Sequence, residues 1–84
     1  MYTLIYSDKA LKQIEKLNKI LKQRIINTLE RIRIRPHSYV KKLVGHPYFS
    51  LRVGNHRLIL DIKEDKLVIF IIETGHRKKI YKEI

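Results

Sequence analysis

The segment Thr74-Gly75-His76-Arg77-Lys78-Lys79-Ile80-Tyr81 sets an imidazole, a guanidinium and a phenol directly after the most hydrophobic strand-like run of the chain. Upstream, Leu51-Arg52-Val53-Gly54-Asn55-His56-Arg57-Leu58-Ile59 places two more arginines around a tight turn. Guanidinium groups bind phosphate and stabilise negative charge that develops on it. An imidazole or a phenol of lowered pKa can move a proton at neutral pH. The combination fits chemistry on a phosphodiester. No HExxH, Cys-His cluster or carboxylate cluster is present, and neither GxxxxGK[ST] nor GxGxxG occurs, so no metal site, nucleotide loop or other cofactor is expected.

Gly54-Asn55 is a two-residue hairpin signal. The register it dictates sets Val53 opposite His56, Arg52 opposite Arg57, Leu51 opposite Leu58 and Phe49 opposite Leu60. Alternation then places Phe49, Leu51, Val53, Leu58, Leu60 and Ile62 on a core face. Tyr48, Ser50, Arg52, Arg57, Ile59 and Asp61 share the opposite face. Like charges facing each other across strands are destabilising by roughly 0.2–1 kcal/mol, so the Arg52–Arg57 pair points to an anion between them. The alternative is that both fan into water, or that one pairs with Asp61 or Glu73. His56 falls on the core rim, where packing or capping suits it better than catalysis. His37 and His46 sit in loops and are expected to be exposed.

These side chains need a sheet to carry them. Tyr2 to Tyr6 predicts a first strand. Ser7 as N-cap and Asp8 in the first turn open an amphipathic helix from about Asp8 to Leu17, with Ala10, Leu11, Ile14 and Leu17 on its apolar side. Asn18 either ends that helix or caps the next, whose stripe is Leu21, Ile25, Leu29 and Ile32; Pro36 stops it. Residues 35–47 read as loop. Strands follow over Tyr48–Val53, His56–Lys63 and Leu67–Thr74, the last an apolar run expected to be buried on both faces. The order β-α-α-β-β-β predicts one α+β domain spanning 1–84: an N-terminal strand, a helical hairpin, and a three-stranded antiparallel meander, with the helices packed on one face. A bend or bulge at Gly75 would decide whether His76 or Arg77 faces the arginine pair. Tyr81, four residues after Arg77, would share its side in one helical turn. A plainer possibility is a tail with Ile80 and Tyr81 docked on the core and Arg77, Lys78 and Lys79 in water.

The chain has 84 residues, no cysteine, and a formal charge of +11 from nineteen Lys and Arg against eight Asp and Glu. So strong a field on so small a domain predicts attraction to polyanions and an acidic protein partner. Without cysteine there is no disulfide framework, which fits a reducing compartment. No apolar run has the length of a membrane span, so no membrane partner is expected and a cytoplasmic location is.

Taken together, the helical hairpin, Lys42-Leu43-Val44-Gly45, the Leu51–Ile59 hairpin, and Gly75-His76-Arg77 followed by Ile80-Tyr81 resemble the RelE/ParE toxin superfamily, specifically its RelE-like mRNA interferases. The resemblance covers nearly the whole chain. It implies a toxin that cuts mRNA in the ribosomal A site and is inhibited by a cognate antitoxin, through an acidic or amphipathic segment. It places the work on Arg52, Arg57, Arg77 and Tyr81, with Lys41 and Lys42 on the approach surface. Ser50 stands at a position that is often lysine in relatives, while Leu60 and His56 stand where tyrosine is common.

Metal-independent cleavage runs by attack of the ribose 2′-hydroxyl on the adjacent phosphate. Arg57, Arg77 and Arg52 then serve positioning and charge stabilisation, since arginine does not exchange protons near neutrality. Tyr81 or His76 supplies proton transfer, and the Tyr81 ring is alternatively a stacking platform. Two other functions share this pattern: a ParE-like inhibitor of DNA gyrase, and a non-catalytic basic RNA-binding module.

Overall fold

The computed structural model describes residues 1–76. The chain opens with β1 (Thr3–Tyr6) and two helices, α1 (Asp8–Glu15) and α2 (Lys19–Ile32). After a 3₁₀ turn at Pro36–Ser38 come β2 (Lys41–Lys42), β3 (Phe49–Val53), β4 (His56–Lys63) and β5 (Val68–His76). Both helix starts are capped as their sequences demand. Ser7 Oγ accepts the Ala10 N–H at 3.0 Å, and Asn18 Oδ1 accepts the Leu21 N–H at 2.9 Å. Asn18 therefore begins the second helix, and α1 stops at Glu15, two residues short of the expected Leu17.

The five strands form one sheet in the order β1-β5-β4-β3-β2. β3, β4 and β5 are the expected antiparallel meander, but β1 joins β5 in parallel, so the sheet as a whole is mixed. The parallel pairing follows from the connection: the helical hairpin carries the chain from the end of β1 across one face, as a parallel neighbour requires. Helix α1 is fastened to β5 at this end. Ser7 Oγ donates to the Ile72 carbonyl at 2.6 Å, and Gln13 Oε1 accepts the Thr74 N–H at 2.8 Å.

The core lies between the helices and one sheet face. Ala10, Ile14, Ile25, Leu29 and Ile32 meet Leu51, Val53, Leu58, Leu60, Ile62, Ile69 and Ile71, with Phe49 half-buried at the margin. Burying a side chain of the Leu or Ile class contributes about 1.5–3 kcal/mol, and a one-residue slip of β3 or β4 would turn this set outward. That penalty fixes the register on which the arginines depend. Leu60, fully buried, is a packing residue.

Three details depart from the expected pattern. The segment 35–47 is not all loop, because Lys41 and Lys42 pair with Ser50 and Phe49 as a two-residue edge strand. Gly75 does not bend the chain out of the sheet. It pairs in register with Arg57, and His76 pairs with His56. The irregularity instead lies at Ile72, skipped between the pairs Ile59–Glu73 and Leu60–Ile71. Finally, β5 is not equally buried on both sides: Ile69 and Ile71 are fully buried, whereas Phe70 and Ile72 are half-buried.

Candidate RNA-binding cavity

Arg52 and Arg57 are cross-strand partners, as the turn dictates. Their side chains nevertheless diverge. Arg52 is exposed and its Nε donates to the Gly54 carbonyl at 3.2 Å, folding it back over its own turn. Arg57 is half-buried, and its Nη1 donates to Ser50 Oγ at 3.2 Å. The two guanidinium groups thus diverge along the sheet, which eases the repulsion between them. Of the two acidic side chains on this part of the sheet, Asp61 lies 3.5 Å from Lys63 Nζ and Glu73 lies 2.8 Å from Lys9 Nζ.

What Arg57 enters is a cavity of about 460 Å³ on the sheet face away from the helices. Lys41, Lys42, Ser50 and Arg57, all expected from the sequence, line it together with Leu43, Val44 and His46. Arg52 does not line it. Ser50 is 4% exposed and belongs to a cross-strand row of Lys41, Ser50, Ile59 and Glu73, in which Ile59 is 1% exposed. Hydrophobic backing of this kind lowers the local dielectric and strengthens any ion pair formed there. Lys42, the cross-strand partner of Phe49, sets its ammonium on the Phe49 side of the sheet, 5.6 Å from the ring centroid, a cation–π distance. The same ring meets His37 edge-on at 5.1 Å, and His37 Nε2 is 2.7 Å from Glu64 Oε1.

His46 corrects an expectation. It was expected in solvent, yet it is half-buried and lines the cavity. A turn over Leu43–His46 brings it there, with the His46 N–H bonded to the Leu43 carbonyl at 3.2 Å and Gly45 at φ 78°. That φ at the third turn position is the type II signature, which glycine adopts without strain. The Leu43 N–H closes the loop on the Tyr48 carbonyl at 3.0 Å. The Val44-Gly45 pair, followed by His46-Pro47, was the available sequence signal. His56, by contrast, is half-buried at the core rim as expected, next to a second hollow between the start of α2 and the hairpin turn. Arg77 and Tyr81, and the side chain of His76, lie outside the described residues.

No carboxylate lines the cavity among the described residues, and Lys41 and Arg57 share its face of the sheet, so an anion entering it meets a positive field. Fold and cavity together define a small basic α+β domain that offers a cationic hollow to a polyanion on its helix-free face.

The chain belongs to the RelE/ParE toxin superfamily: the family model described as the ParE toxin of type II toxin–antitoxin systems matches residues 4–81. It is also 29% identical over 87 residues to the mRNA interferase toxin RelE of Escherichia coli K12, covering 98% of this chain and 92% of that protein. The isolated E. coli RelE toxin superposes with a TM-score of 0.78 at 26% identity, over 99% of this chain and 94% of the other. The toxin in the intact E. coli RelBE toxin–antitoxin complex gives 0.79 at 25% identity, over 90% and 96%.

Proposed function

We propose that this chain is the toxin of a type II toxin–antitoxin pair and an endoribonuclease that cleaves translated mRNA in the ribosomal A site. The observation that carries the reading is the gathering of Lys41, Lys42, Ser50 and Arg57 around one carboxylate-free cavity among the described residues, in a chain alike to an mRNA interferase along nearly its full length. In this reading Lys41 and Lys42 hold the mRNA backbone, and Arg57 and Arg77 stabilise the charge of the phosphorane formed when the 2′-hydroxyl attacks. Arg52, exposed at the hairpin, steers the strand from outside the cavity. Tyr81 stacks on a base or transfers a proton, and His76 is the alternative for that transfer. No metal ion is needed for this route.

The partner is a cognate antitoxin whose acidic or amphipathic segment neutralises part of the +11 charge. The chain acts where translation occurs, in the cytoplasm. Because the matching family is described by ParE toxins, gyrase inhibition is the competing reading. Expression without antitoxin, followed by labelled amino-acid and thymidine incorporation, separates the two. Prompt loss of protein synthesis with continuing replication is the expected outcome. Stalled replication with normal protein synthesis would refute it.

A further inference from the structure

The cavity's cations account for binding and for charge stabilisation, but none of them removes a proton from a ribose hydroxyl. Lysine and arginine side chains are ordinarily protonated at neutral pH, and arginine does not release its proton. The Ser50 hydroxyl is a poor base, and its oxygen accepts from Arg57 Nη1. No aspartate or glutamate lines the cavity among the described residues. Among the described lining residues, the imidazole of His46 is the side chain of general-base type.

Its placement is built into the fold. Gly45 in the left-handed region turns the chain so that His46 folds back toward the strands instead of following Val44, which is 97% exposed, into solvent. Pro47, with its fixed φ, limits the freedom of the chain on the other side. The closing bond from Leu43 to the Tyr48 carbonyl ties the loop to the start of β3, the strand that carries Ser50. His46 therefore lines the same cavity as Ser50 and Arg57, on a turn whose backbone is fixed at both ends.

We infer that His46 is the general base of the cleavage reaction, taking the proton of the attacking 2′-hydroxyl; this rests on the mRNA-cleavage reading above. As the 2′-oxygen bonds to phosphorus, a ring nitrogen of the neutral imidazole accepts the hydroxyl proton. The bond from phosphorus to the 5′-oxygen breaks, and its electron pair stays on that oxygen, which takes a proton from Tyr81 or His76, the groups given proton transfer in the cleavage reading. The products are a 2′,3′-cyclic phosphate and a 5′-hydroxyl. Water then carries the imidazolium proton back to that acid, which restores both groups. Arg57, held by Ser50, faces the non-bridging oxygens in this arrangement.

The test is single-turnover cleavage of mRNA on programmed ribosomes, with His46→Gln, His46→Ala and Arg57→Ala beside the parent. His46→Gln should slow cleavage by about 10²- to 10⁴-fold, the usual contribution of a general base, with ribosome binding unchanged. Added imidazole should restore the rate of His46→Ala in proportion to its concentration and leave Arg57→Ala unaffected. If both His46 variants cut within about threefold of the parent while Arg57→Ala is inactive, the inference falls and the cleavage reading stands. A slow His46→Ala that imidazole does not rescue, with His46→Gln at parental rate, would reduce the residue to packing and also overturn it. If the parent itself does not cut, the cleavage reading fails and this inference fails with it.

Discussion

Replacing Arg57 with alanine tests how the cavity divides its labour between folding and chemistry. On the folding side, the change removes a cross-strand like-charge relation with Arg52, a gain of roughly 0.2–1 kcal/mol at most. It also removes the hydrogen bond to Ser50 Oγ, a loss of about 0.5–1.5 kcal/mol, and some packing of the half-buried stem. The first two terms together run from a gain of about 0.5 to a loss of about 1.3 kcal/mol, and packing adds to the loss, so stability should fall on the order of 1 kcal/mol, or roughly 4–8 °C in Tm for a domain of this size. On the chemical side, the role proposed for the guanidinium is to act where charge grows in the transition state. Loss of one such preorganised donor costs about 2.7–4 kcal/mol, or 10²–10³ in rate. The assay pairs a thermal melt with single-turnover cleavage on purified ribosomes. The expected result is a melting curve close to the parent's and a rate lower by at least two orders of magnitude. Cleavage within a few-fold of the parent would refute the assignment. Gross unfolding would show Arg57 to be structural and refute it equally.

Ser50→Ala removes the hydroxyl that steadies Arg57 and should slow cleavage by about 2- to 10-fold, the rate equivalent of one neutral-acceptor hydrogen bond, measured in the same single-turnover assay. Asn18→Ala deletes the α2 cap seen at 2.9 Å and should lower stability by about 1 kcal/mol in a denaturant melt without altering the cleavage rate of folded protein. Tyr81→Phe and Tyr81→Ala separate the phenol from the ring: a near-parental rate for Phe with an inactive Ala variant identifies a stacking platform, whereas loss in both identifies the hydroxyl. Association with ribosomes should weaken steeply as salt is raised from 50 to 200 mM, since phosphate contacts release counterions; a flat dependence would contradict electrostatic engagement by Lys41, Lys42 and Arg57.

The hairpin was legible in the sequence because two constraints agree there. The Gly54-Asn55 turn fixes the pairing, and the alternation of Leu51, Val53, Leu58 and Leu60 fixes which side is buried. Edge strand β2 was not, because Lys41 and Lys42 have neither β-propensity nor apolar alternation and are strand only by virtue of their partners on β3. Nor was the parallel β1–β5 pairing, which depends on where the helical hairpin returns the chain. The bulge at Ile72 lies inside an unbroken apolar run with no glycine to mark it, whereas Gly75, the marked position, stays in register. At the site, residue identity was readable but direction was not. The sequence brought Arg52 and Arg57 together through their backbones, and local hydrogen bonds to Gly54 and Ser50 then sent their side chains apart. His46 escaped notice for the opposite reason: its own segment is polar and loop-like, and a tight turn sends it back to the cavity.

The function proposed above is cleavage of mRNA by this small cationic domain with the ribosome's help. Mapping mRNA 5′ ends at nucleotide resolution in a reconstituted translation system, with purified chain added in the presence and absence of ribosomes, addresses it directly. New ends bearing 5′-hydroxyls, in phase with the reading frame and present only when ribosomes translate the message, are the predicted result. An mRNA that stays intact on translating ribosomes, with folded protein bound or not, would contradict it.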